Sequence, residues 1–205
     1  MPFTELNDIA IHEAGHVIVC FLMSDLARLH LVTIDAEHGK TFDPNSDGGL
    51  VYKYLKQPKD LDFLELDQFC LLHLAGLAAD LVNEQEGPPS WEYFLSEEFF
   101  LKINQFYYQG DMISFSSTFD RLIGVLQVAP QHYNLISIQL LVNIFSNREL
   151  LEVLLALREF IDRSKTIDGE ALTKFLNDSY LSEYKRNVWP DVKEMRRKLF
   201  VLPNT

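Results

Sequence analysis

Three residues close together near the start of the chain, His12, Glu13 and His16, are of the types and spacing that can run hydrolysis at a metal ion. Within Ile11-His12-Glu13-Ala14-Gly15-His16-Val17 they form an H-E-x-x-H pattern. On an α-helix, residues four apart are offset by about 40° around the axis and about 6 Å along it. His12 and His16 can therefore present two imidazole nitrogens to one ion. Glu13, on the adjoining face, can reach a water held in the ion's open position and act as general base. The flanks, Ile9-Ala10-Ile11 and Val17-Ile18-Val19, carry no charge, and no Pro interrupts from Phe3 to Met23. The pattern thus predicts one apolar helix from an N-cap at Thr4 to about Met23, with Glu5 and Asp8 at the positive end of its dipole. Gly15 in its interior costs about 1 kcal/mol relative to Ala, which suggests that another backbone or a metal site packs close to it.

The rest of the chain must position those side chains. Its 205 residues suit one domain spanning 1–205, and the 47% hydrophobic and 23% charged content is that of a folding chain. A formal net charge of -12 argues against wrapping nucleic acid. Cys20 and Cys70 lie in apolar helical patterns and read as buried thiols, which favours the cytoplasm. No basic, apolar leader and no membrane span is evident.

The patterning predicts a mainly α fold with a small β-hairpin beside the metal-binding helix. Strands are expected over 29–34 and 50–54, separated by a polar loop from Asp35 to Gly49. A strand so placed could bind an extended peptide through main-chain hydrogen bonds. A strongly apolar helix covers 60–83 and includes the small-residue segment Ala75-Gly76-Leu77-Ala78-Ala79; His73 on it reads as a core residue. An aromatic-rich insertion occupies about 84–108. Further helices are expected from Gln109 to before Pro130 and over 133–145 and 149–161. Thr166 to Glu170 reads as a turn into a last helical run. Arg186, Lys193, Arg196, Arg197 and Lys198 read as a solvated helix face.

A catalytic zinc ion usually takes three protein ligands. His12 and His16 supply two, and the H-E-x-x-H-x-x-G-x-x-H extension is absent, since Val19 and Leu22 occupy its diagnostic positions. Spacing leaves His30, His38, His73, His132, Asp80, Glu84, Glu86 and Asp111 open as the third.

Four segments resemble, in order, the zinc peptidase domain of the FtsH-type ATP-dependent membrane proteases. They are Ile11 to Val17; Leu31-Val32-Thr33-Ile34 with Gly48-Gly49-Leu50; Ala75 to Asp80; and Lys165-Thr166-Ile167-Asp168-Gly169-Glu170-Ala171-Leu172. In that family the third zinc ligand is the Asp of an Asn-Asp pair opening a helix. The resemblance assigns that role to Asp111, although Gly110 replaces the Asn and the preceding segment is longer; Asp80 is the runner-up. It implies a Zn2+-dependent metallopeptidase acting on peptides or unfolded proteins, with Glu13 as base and then acid. No G-x-x-x-x-G-K-[ST] phosphate loop occurs, so ATP-driven threading is not expected of this chain. The alternatives are a non-catalytic peptide- or partner-binding module on the same fold, self-association, and an accessory subunit of a full-length FtsH-type protease.

Overall fold

The computed structural model describes residues 9–41, 49–84, 89–94, 96–99, 101, 110–124, 126 and 128–200. It is mainly helical with one small sheet. The expected Thr4 cap lies outside the described residues, as does most of the aromatic insertion.

Helix α1 (Ile9–Leu22) is apolar almost all round and is accordingly buried all round; only Ile9 and His12 reach above burial. It packs against α3 (Phe63–Glu84), itself buried along most of its length. The Gly15 expectation is met by a backbone: a Cβ there would come within 2.5 Å of the Ala75 carbonyl and 2.8 Å of the Ala79 Cβ. Small residues on both helices thus allow the two backbones to close on each other, at the level where the histidines stand. Helices α5 (Gly110–Leu122) and α6 (Pro130–Phe145) cover another part of α3, and α7 (Arg148–Ser164) packs on α1.

The sheet has the order β2-β1-β3. Strand β1 (Ala27–Thr33) pairs antiparallel with β2 (Gly49–Tyr54), from Ala27 opposite Tyr54 to Thr33 opposite Gly49, with a register shift between Leu29 and Leu31 that leaves His30 as the extra residue. The predicted hairpin is therefore present. The predicted turn at Thr166 is not a turn: Thr166–Asp168 forms β3, antiparallel to β1 on its other side. Three residues carry too little alternation to announce a strand; their partners in β1 supply the reason. The polar loop also departs from expectation, because Asp35 caps a short helix α2 (Ala36–Gly39) by accepting from the Glu37 and His38 amides. A 3-10 turn at Pro58–Asp60 leads into α3, and a short helix α4 (Trp91–Phe94) follows it. In the insertion, Phe94 and Phe99 are buried edge-to-face, ring centroids 5.1 Å apart, which is core filling.

The segment after β3 shows what the Thr-Ile-Asp-Gly-Glu run does in physical terms. Thr166 Oγ1 meets Thr33 Oγ1 at 2.7 Å, Ile167 is buried opposite Val32, and Asp168 caps α8 (Gly169–Asn177) by accepting from two amides at 2.9 Å. A Cβ at Gly169 would overlap the Leu29 carbonyl, so only glycine lets α8 start against β1. The run is a strand-to-helix joint.

Helices α9 (Tyr180–Asn187) and α10 (Trp189–Phe200) complete the chain. Here the sequence reading needs correction. Arg196 is not on a solvated face: it is 1% exposed and grips Asp67 of α3 through two bonds of 2.6 Å, with Ser137 Oγ at 2.9 Å and the Tyr133 and Phe200 rings beside it. Tyr133 donates a further bond to Asp67 at 2.7 Å. A buried carboxylate on α3 needs a buried cation, and the C-terminal helix supplies it.

Candidate metal centre

The pairing of α1 with α3 fixes both imidazoles from behind. His16 Nδ1 lies 2.7 Å from the Leu72 carbonyl, and His12 Nδ1 lies 2.7 Å from Asp80 Oδ2. A carbonyl and a carboxylate can only accept, so each Nδ1 carries the hydrogen and each neutral ring keeps its lone pair on Nε2. Gly76 sits directly against the His12 ring, where a Cβ would overlap its Nε2, Cε1 and Cδ2. The small-residue face of α3 thus has a specific purpose: it makes room for an imidazole.

The two Nε2 atoms point at each other across 3.1 Å. Asp111, in the first turn of α5, places Oδ2 at 3.0 Å from His12 Nε2 and 3.1 Å from His16 Nε2. Two nitrogen lone pairs and a carboxylate oxygen therefore converge on one point. Three electron-pair donors cannot satisfy one another; they need protons or a cation between them. Their mutual spacing is close to the edge of a tetrahedron built on metal–ligand bonds of about 2.0–2.1 Å, which is about 3.3 Å. His12, His16 and Asp111 form the group of possible metal ligands found among the described residues. The donor set, two imidazoles and a carboxylate with each ring oriented by a second hydrogen bond, fits zinc.

Electrostatics point the same way. For the His12 imidazole, burial pulls the pKa down, but hydrogen bonds to Asp111 and Asp80 outweigh it and hold it well above its ordinary value. His16 behaves alike: burial is overcome by the charge and hydrogen bond of Asp111. At Asp111, burial would raise the carboxyl pKa, yet the charge of His16 and the bonds from both rings hold it far below the carboxylate range. The carboxylates facing the two rings thus favour a positive charge there. Glu13 is 7% exposed, and burial raises its pKa; its Oε2 has no hydrogen-bond partner among the described residues. An orphaned buried carboxylate oxygen beside a cation site suits a proton carrier.

Of the other candidate ligands, His30, His38, His132 and Glu84 are exposed and outside the cluster, and Glu86 lies outside the described residues. Asp80 stands behind His12, on the Nδ1 side. His73 is buried on α3 and outside the ligand trio. A cavity of about 840 Å3 opens elsewhere, between Cys20, Phe21 and Ser24 of α1, Gly169 and Thr173 of α8, and Lys185 of α9. None of the four motif and ligand residues lines it, so the converging lone pairs, not cavity size, locate the centre. The Leu72 carbonyl has no side-chain signature, and no reading of spacing could have found it.

The sequence matches no protein-family model, and no curated protein matches it either.

Proposed function

We propose that this chain is a zinc-dependent peptidase of the kind its FtsH-like segments suggest, with His12, His16 and Asp111 as metal ligands. The observation that carries the reading is the convergence of two imidazole Nε2 atoms and a carboxylate oxygen on one point, 3.0 to 3.1 Å from one another. When bound there, zinc would supply a water of pKa about 7 and polarise a peptide carbonyl. Glu13 would accept a proton from a water held there when a peptide carbonyl is presented to it. As the C–N bond breaks, the same carboxyl passes the proton to the departing amine nitrogen. The raised pKa of Glu13 suits both halves of that task. Asp80 and the Leu72 carbonyl hold the rings in the tautomer that binds metal, and β2, an edge of the described sheet, offers main-chain groups to an extended peptide.

Among the described residues no helix is long and apolar enough to cross a membrane. Cys20 and Cys70 are free and buried, in keeping with a cytoplasmic setting. Partners in this reading are peptides or unfolded proteins, with an ATPase-bearing FtsH-type protease as the candidate that would feed them.

The test is elemental analysis of wild type and Glu13→Gln, with casein turnover as the second readout. About one zinc per chain in both, with turnover lost in Glu13→Gln, is expected. No zinc in the wild type after zinc is supplied would replace the enzyme with a peptide-binding module on the same scaffold.

A further inference from the structure

His73 is a buried imidazole that the mechanism above does not use, and its place on α3 is unusual. Phe69, His73, Gly76 and Asp80 are spaced 4, 3 and 4 residues apart, a single stripe on the helix. The two ends of the stripe have known neighbours. Phe69 packs against Tyr52 and Tyr54 of β2, with ring centroids 6.1 and 5.0 Å away. Gly76 and Asp80 touch the His12 ring. His73 therefore stands between the edge strand and the metal ligands. A peptide laid on β2 and reaching the metal has to pass it.

The surroundings agree. His73 is close enough to His16 and to Asp111 to feel both charges, and Tyr52 on β2 also feels Asp111. Burial pushes the His73 pKa down to about 4, so the ring is neutral at ordinary pH and has one N–H to give. Among the described residues that N–H has no hydrogen-bond acceptor, while the residue itself is 7% exposed. The residual exposure leaves the ring reachable from outside, so an N–H that no acceptor among the described residues occupies is open to a ligand.

We propose that His73 is a catalytic residue that donates its N–H to the scissile carbonyl oxygen as that oxygen becomes an alkoxide. This rests on the peptidase reading. It also sets a substrate requirement: the carbonyl must arrive from the β2 side, so extended chains are taken and helical ones are not.

Two probes test it on the zinc-loaded protein: fluorescein-labelled casein, and a phosphinic pseudopeptide whose tetrahedral PO2− group copies the intermediate. His73→Phe keeps a planar aromatic ring, somewhat larger than imidazole, and removes the donor; His73→Gln keeps an N–H. In His73→Phe, zinc content is expected to stay at the wild-type level. Its kcat on casein should fall about 10²–10³-fold with KM little changed, and the pseudopeptide should bind about 100-fold more weakly. His73→Gln should recover part of both, and it carries the comparison alone if the Phe variant does not fold. Unchanged kcat and unchanged pseudopeptide affinity per bound zinc overturn the role. So does a fall in thermal stability and zinc content together with normal affinity per zinc, which would make His73 a packing residue. A zinc-loaded wild type that neither cleaves casein nor binds the pseudopeptide removes the peptidase reading itself.

Discussion

Gly76→Ala puts two effects of opposite sign at one atom. In the middle of a helix, Ala is favoured over Gly by about 0.8–1 kcal/mol. Here, however, the new Cβ would overlap three atoms of the His12 ring, which must then move by about 1 Å to regain van der Waals separation. The ring has little freedom to do so. Its Nδ1 is held 2.7 Å from Asp80 and its Nε2 3.0 Å from Asp111, and a displacement of that size breaks one bond or both. Metal–ligand distances tolerate only about 0.2 Å. Losing the orienting partner of a ligating histidine alone costs about 10–100-fold in metal affinity, and the misplaced ligand atom adds to it. We therefore expect the zinc Kd of Gly76→Ala to rise by about 100-fold or more. Overpacking of about 1–3 kcal/mol, offset by the helix gain, leaves the metal-free protein only about 0–2 kcal/mol less stable. Competition against a chromophoric chelator reads the first quantity, and urea unfolding in excess chelator the second. A variant with one zinc per chain and a Kd within about threefold of wild type would show that the His12 ring is not seated as described.

The two aspartates should separate cleanly. Asp111→Ala removes a proposed ligand and should abolish stoichiometric zinc, whereas Asp80→Asn should keep one zinc per chain with affinity about 10–100-fold lower; elemental analysis after dialysis decides, and the reverse order would exchange their roles. The pH dependence should invert with metal. His12 and His16 have folded pKa values above 6.5, so their stabilisation of the metal-free protein is full below pH 6.5 and is lost as pH rises through the folded values. Asp111 is depressed, so its contribution is present above its ordinary 3.8 and is lost as pH falls through the folded value. The metal-free centre should stabilise most between those limits, while stabilisation by zinc should grow from pH 5.5 to 8 as the ion no longer competes with protons; parallel melting curves with chelator and with zinc would contradict this. Arg196→Met should cost about 3–5 kcal/mol in urea unfolding, because it strands the buried Asp67 carboxylate.

Much of this arrangement can be read from residues alone, and the exceptions share a cause. The uncharged flanks of His12 and His16 announce a buried helix, and the small residues from Ala75 to Ala79 announce the close partner that Gly15 requires. Asp111 is different. It lies 99 residues from His12, so only the family resemblance singled it out, and the geometry now sets it beside both rings. Arg196 was misread because a cation in a polar C-terminal stretch looks solvated; its partner is 129 residues away. Thr166–Asp168 was misread because a three-residue strand has its explanation in β1. Local chemistry is visible in local sequence, and long-range pairings are visible only from both ends.

The grip of Arg196 on Asp67 also bears on the order of events during synthesis. Helix α3 brings the Leu72 carbonyl, Gly76 and Asp80 to the two imidazoles, so whatever seats α3 seats the centre. Its own buried carboxylate has no counter-charge until residue 196 has been made and has folded back over 129 positions. The Asp67–Arg196 pair thus ties the last described helix to the helix that seats the candidate centre, so a change at one end of the chain can be felt at the other.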